Sequence, residues 1–165
     1  MKNSILLVFS LFLLLSCETN MPERAIGFVT GENSELQWYL GTQDAIDVVT
    51  TVDELWNNQD YEAMRPYFAD SVKVWRPNGV YTNTFDSFIE SLGGGSNVTW
   101  SYDYAFSVDL NPEVGGEHVQ AGFTITYPAT EDSEERVDYQ HESYYIVDGK
   151  IITLNQHSIR NAQQD

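Results

Sequence analysis

The sequence holds one cysteine, Cys17, so no intramolecular disulfide can form, and a lone thiol at that place leaves none for zinc or for catalysis. Basic residues are scarce: eight Lys and Arg stand against 25 Asp and Glu, a formal net charge of -17. Such a balance argues against nucleic acid and against anionic lipid headgroups as partners, because phosphates are repelled along most of the surface. Histidine is also sparse. Simple strand pairing puts His118 roughly 15 Å along the sheet from His141 and His157, too far for one tetrahedral ion, so no metal site is expected. Nucleophile motifs, a phosphate-cradling glycine loop and a dinucleotide fingerprint are absent, and no cofactor is expected. No apolar run reaches the length of a membrane span; the longest, Ile5 to Leu15, is broken by Ser10.

That short run is preceded by Lys2 and ends in Leu14-Leu15-Ser16-Cys17. It has the anatomy of a signal peptide core, and its last four residues resemble the lipobox of bacterial lipoproteins. The resemblance implies removal of residues 1–16, diacylglycerol on Cys17 as the lipid attachment, and a place in the bacterial cell envelope, facing the periplasm or the cell exterior. Residues 17–42 are polar and interrupted by Pro22, Gly27, Gly31 and Gly41, and read as a lipid-attached tether whose Trp38-Tyr39-Leu40 makes the first contact with a domain. The domain is expected over residues 43–161, with a short tail at 162–165.

Within the domain, Ala45, Val48, Val49, Val52, Leu55 and Trp56 repeat at helical spacing and predict a helix over 43–58. Asp60 is placed to cap a second, short helix at 61–68, which Pro66 distorts. Residues 71–76 and 80–81 flank Pro77-Asn78-Gly79 and predict a hairpin. Thr84 caps a helix carrying Phe85, Phe88, Ile89 and Leu92, closed by Gly93-Gly94-Gly95. Beyond it the periodicity becomes two. Trp100, Tyr102, Tyr104, Phe106 and Val108 alternate with polar or small residues, and Val119, Ala121, Phe123, Ile125 and Tyr127 repeat the pattern. A third long strand spans 137–147, and Asp148-Gly149 turns it into a fourth.

This order of elements is similar to the nuclear transport factor 2-like superfamily, which includes SnoaL-like and ketosteroid isomerase-like proteins. Three stretches carry the likeness: Leu55-Trp56-Asn57-Asn58-Gln59-Asp60-Tyr61-Glu62, Tyr67-Phe68-Ala69-Asp70-Ser71-Val72, and Tyr145-Ile146-Val147-Asp148-Gly149-Lys150-Ile151. The resemblance implies an α+β fold, a cone-shaped, strongly curved antiparallel sheet wrapped around N-terminal helices, with an open, ligand-sized mouth. It also implies a surface for a homodimer, the outer sheet face, on which Gln120, Thr124, Gln140, Glu142 and Tyr144 are expected.

With the apolar strand faces turned inward, Tyr104 is expected beside Phe123, and Phe123 beside His141. The candidate pocket is then lined by Trp56, Tyr67, Trp75, Tyr104, Phe123, His141, Tyr145 and Asn155. A two-residue Asp-Gly turn would set Gln156 beside His141, and a bulged turn Asn155. These residues suggest a membrane-anchored domain that binds a small apolar or aromatic molecule. Two other readings remain. One is a cofactor-independent isomerase, dehydratase or hydrolase with His141 as general base; the other is a non-catalytic envelope interaction module.

Overall fold

The computed structural model describes residues 24–93, 97–113 and 115–160; the signal segment, Cys17, Gly94, Gly95 and the tail at 162–165 lie outside the described residues. Two short strands come first, β1 (Gly27–Phe28) and β2 (Gln37–Leu40), and pair with each other. β2 also pairs with the long strand β5 (Thr99–Asp109), Tyr39 against Asp109 and Leu40 against Val108. The second half of the segment expected to be tether is therefore sheet, and the folded unit begins near Ile26, whose N–H donates to the Trp38 carbonyl at 2.7 Å.

Helix α1 (Gln43–Asn57) starts where Thr42 Oγ1 accepts from the Ala45 N–H at 3.3 Å. It buries Ala45, Val49 and Val52, one face of a 3.6-residue repeat. The side chain of Asp60 caps α2 (Tyr61–Met64) through the Ala63 N–H at 3.1 Å. Pro66 then allows only a 3₁₀ turn, Arg65–Tyr67. β3 (Phe68–Trp75) and β4 (Tyr81–Thr82) form the expected hairpin. Thr84 and Ser87 make a reciprocal capping box for α3 (Phe85–Ser91), and Gly93 follows with φ +72°.

β6 (Glu117–Tyr127), β7 (Arg136–Val147) and β8 (Lys150–Arg160) complete an antiparallel meander with β5. The sheet order is β1-β2-β5-β6-β7-β8-β3-β4, and only the β8–β3 pair is parallel. The core lies between this sheet and the helices, where Val49, Val52, Met64, Phe88, Val119, Tyr144 and Leu154 lose nearly all exposure.

Three registers decide which side chains enter that core. Tyr102 pairs with Phe123 but Tyr104 with Gly122, so Asp103 is an extra residue, a β-bulge. Beyond it Ala105 and Ser107 point inward, whereas Tyr104 and Phe106 are half-exposed on the outer face. β6 and β7 pair Gly122 with His141 and Phe123 with Gln140, one residue away from the expected register. The β7–β8 turn is the predicted two-residue one, Asp148 and Gly149 both at positive φ. Ile152 then adds a second bulge, so His141 faces His157 and neither Gln156 nor Asn155.

Candidate functional site

Side chains along a strand alternate between faces, and residues paired across strands share one. Glu142 therefore faces the helices together with Ala121 and Gln156, and the next row along the sheet is Tyr102, Phe123, Gln140 and Ser158. The deeper rows are sealed by Ala121, Val119, Tyr144 and Leu154. At the other end Trp100 and Tyr102 are half-buried and Ser158 and Arg160 exposed, although all belong to the inner face. Cover over the inner face is thinner at that end.

Glu142 is the best-buried carboxyl there, at 3 % exposure. One oxygen accepts from Gln140 Nε2 and from Gln156 Nε2, both at 2.6 Å, and the other from the Tyr144 hydroxyl. Burial raises its pKa above the ordinary carboxylate value against these three donors, and nearby Asp53 adds to the rise. The Tyr144 hydroxyl is pushed well above its usual pKa, first by burial and then by Glu142.

Asp53 stands across from this group on α1, with Trp100 Nε1 donating to its Oδ1 at 2.8 Å. Burial again raises its pKa. The Tyr102 ring stacks on Phe123 at 5.1 Å, and its hydroxyl is buried beside Thr50 without a well-formed hydrogen bond. Trp56 meets Trp100 edge-on at 6.2 Å. Aromatic rings, two carboxyls and two phenols thus lie close together between α1 and the inner sheet face, Glu142 and Tyr144 buried and Asp53, Trp100 and Tyr102 half-buried. Such a set can hold an aromatic or apolar body and exchange hydrogen bonds or a proton with a polar group on it.

Of the residues expected to line the pocket, Trp56 and Phe123 are inside, and Tyr67 packs partly buried against the core. Trp75, Tyr104, His141, Tyr145 and Asn155 lie on the outer face. His141 is bound there in a chain of polar groups: Nδ1 lies 3.3 Å from the Tyr104 hydroxyl, Nε2 lies 2.9 Å from Gln120 Oε1, and Gln120 Nε2 donates to Ser143 Oγ at 2.9 Å. It therefore cannot serve as a base within the cone. The expected outer set is corrected in the same way, since Gln140, Glu142 and Tyr144 face inward while Gln120 and Thr124 face outward. Asp53 had a readable signal, because Val49, Val52, Asp53 and Trp56 fall at i, i+3, i+4 and i+7 on the buried stripe of α1. Glu142 had none, because its face depends on register.

A separate surface groove of about 450 Å³ runs between α2 and α3 beside Tyr61, Arg65 and Phe85, away from every one of these groups. Among the described residues no three His, Cys, Asp or Glu side chains are grouped to hold a metal ion, and no helix is long and apolar enough to cross a membrane.

No family model and no curated protein matches the sequence. Solved structures do match the fold. A nuclear transport factor 2-like protein of unknown function from Cytophaga hutchinsonii aligns over 70% of this chain and 89% of its own, with TM-score 0.54 and 11% identity. The chain has the nuclear transport factor 2-like fold. A candidate ketosteroid isomerase from Kribbella flavida aligns with this nuclear transport factor 2-like domain over 74% of the present chain and 82% of its own, at TM-score 0.60 and 9% identity. An LEH-like epoxide hydrolase from M. tuberculosis does so over 72% and 84%, at TM-score 0.54 and 10% identity. Their descriptions name different chemistries on one architecture, and likeness at this level of identity speaks to fold alone.

Proposed function

We propose that this domain binds a small apolar or aromatic molecule in its cone, and that lipid on Cys17 holds it in the bacterial envelope. The observation that carries the binding reading is the inner wall of Trp56, Trp100 and Tyr102, left half-buried beside the raised carboxyl of Asp53. An inner face meant only as core would seal these rings, as it seals Val119 and Leu154. The Asp53 carboxyl and the Tyr102 hydroxyl suit a ligand that bears one hydrogen-bonding group.

Native mass spectrometry of the purified protein, followed by tryptophan-fluorescence titration with aromatic fragments, tests the reading. Tyr102→Ala and Asp53→Asn are expected to weaken binding about tenfold or more, while Tyr104→Ala on the outer face leaves it unchanged. A protein that retains nothing and binds no fragment, or one equally weakened by Tyr104→Ala, overturns it.

Two carboxyls that burial raises, Asp53 held by Trp100 Nε1 and Glu142 held by Gln140, Gln156 and Tyr144, favour a second reading, a cofactor-independent isomerase or hydrolase whose proton carrier is Asp53 in place of His141. A homodimer through the outer face is also supported by its chemistry. In a chain of net charge -17, the four central strands turn outward Tyr104, Phe106, Gln120, Tyr139, His141 and Asn155, with Asp103 among the few charges there. Two copies repel each other least across such a surface.

A further inference from the structure

We infer that acid loosens the homodimer proposed above, because two histidines face each other within the surface that pairs. This inference rests on pairing through the outer sheet face and adds what regulates it. β7 and β8 set His141 directly opposite His157, and both belong to the outward row. Residues opposed in this way have Cβ atoms roughly 5 Å apart, close enough for like charges to repel. His141 is half-buried and His157 exposed, so both can take up a proton from solvent.

The neutral imidazole is the form that this face accommodates. Gln120 Nε2 donates to Ser143 Oγ, which leaves Gln120 Oε1 to accept from the His141 Nε2–H at 2.9 Å. Nδ1 is then the acceptor for the Tyr104 hydroxyl at 3.3 Å. Protonation puts a second N–H on the ring and turns that hydroxyl away. Besides the two histidines, the outer face of the four central strands carries the titratable groups Asp103, Tyr104, His118, Tyr139 and Tyr145, with Lys150 at the turn. β3 and β4 add Lys73 and Tyr81 at its margin. Asp103 is the one carboxylate among these, and it already accepts from Ser101 Oγ and Thr124 Oγ1, both at 2.7 Å.

In a separate copy each imidazolium keeps its water. When two copies close over the face, an isologous contact buries the same patch of both, strips that water and brings like charges together. The proton is therefore held better by the separate copies, and the dissociation constant rises as pH falls through the ordinary imidazole range. Acid also reduces the net negative charge, which favours association, but that effect acts through solvent and is screened by salt, whereas the burial of an imidazolium is not.

Sedimentation equilibrium of the purified protein in density-matched detergent, at about pH 7.5 and about pH 5.5, tests the inference. The parent is expected to be a dimer at the higher pH, with a dissociation constant about tenfold or more larger at the lower one. His141→Gln combined with His157→Gln should dimerise at the higher pH and lose most of that response. His157→Gln alone, at an exposed position where the fold is not at risk, should lose part of it, and it decides the matter if the double variant fails to pair at the higher pH. A parent dimer that is equally tight or tighter in acid overturns the inference and leaves the homodimer standing, as do variants that respond like the parent. A parent that is monomeric at both values removes the homodimer itself, and the inference with it.

Discussion

Two glutamates show how one residue type can act with opposite sign. Glu117 sits at the start of α1, accepting from the Thr42 N–H at 2.5 Å, from Thr42 Oγ1 at 2.7 Å and from Ser107 Oγ at 2.7 Å. Burial would raise its pKa, but these donors together outweigh burial and hold it below the ordinary value. Its contribution to stability is present above the unfolded-state carboxylate pKa and is lost as pH falls through the folded one. Glu142 is raised, so its contribution is full below the unfolded pKa and is lost as pH rises through the folded one. Glu142→Gln should therefore gain on the parent as pH rises above the ordinary carboxylate range, read as the difference between their thermal midpoints. A difference that is flat or of opposite slope would mean that Glu142 is an ordinary carboxylate in the folded protein. Gly122 illustrates a different constraint. A Cβ there would collide with the Tyr104 ring lying over it, so a glycine keeps that ring flat on the outer sheet face.

At the scale of elements, the strands owe their faces to single extra residues. The Asp103 bulge divides β5 into one half that follows the simple alternation and another that reverses it. Deleting Asp103 would join inward Tyr102 directly to outward Tyr104, restoring strict alternation while every cross-strand partner is kept, so Tyr104 and Phe106 stay outside and Ala105 and Ser107 inside. The deletion removes the exposed hydrogen bonds that Asp103 accepts and repacks nothing, so urea unfolding should stay cooperative at a cost of no more than about 1–2 kcal/mol. Asp103→Ala keeps the bulge and loses only exposed hydrogen bonds from Ser101 and Thr124, and should cost no more than about 1 kcal/mol. The helices and turns were legible without tertiary information. Thr84, Asp60, Pro66 and Asp148-Gly149 each act through local geometry, and each has its expected effect.

At the scale of the whole molecule, the fold begins well before the residue at which periodicity first shows a helix. Residues 26–40 join the sheet through two short strands, too brief for a two-residue repeat to stand out. A lipid on Cys17, as proposed, would hold the domain by a correspondingly shorter tether. Cys17→Ala should move the protein from the membrane fraction to the soluble one, with an unchanged circular dichroism spectrum. Retention of that variant in the membrane would exclude lipid as the anchor. The outer face makes its own demand on assembly: if it pairs two copies, light scattering should give twice the chain mass, and Tyr139→Asp should return it to one.

The sequence by itself determined the order and type of the elements from α1 onward, the caps and turns between them, and the α+β class, because these follow from local periodicity and local hydrogen bonding. It also bounded the chemistry, since eight basic residues, three histidines and one cysteine leave few partners and few reactions open. Only the tertiary structure decided which face of each strand looks into the cone. A strand repeats every two residues, so one bulge at Asp103, another at Ile152 and one residue of slack in the β6–β7 connection exchange inside for outside. That exchange carried His141 out to the surface and brought Glu142 to the centre, and no local pattern in the chain records it.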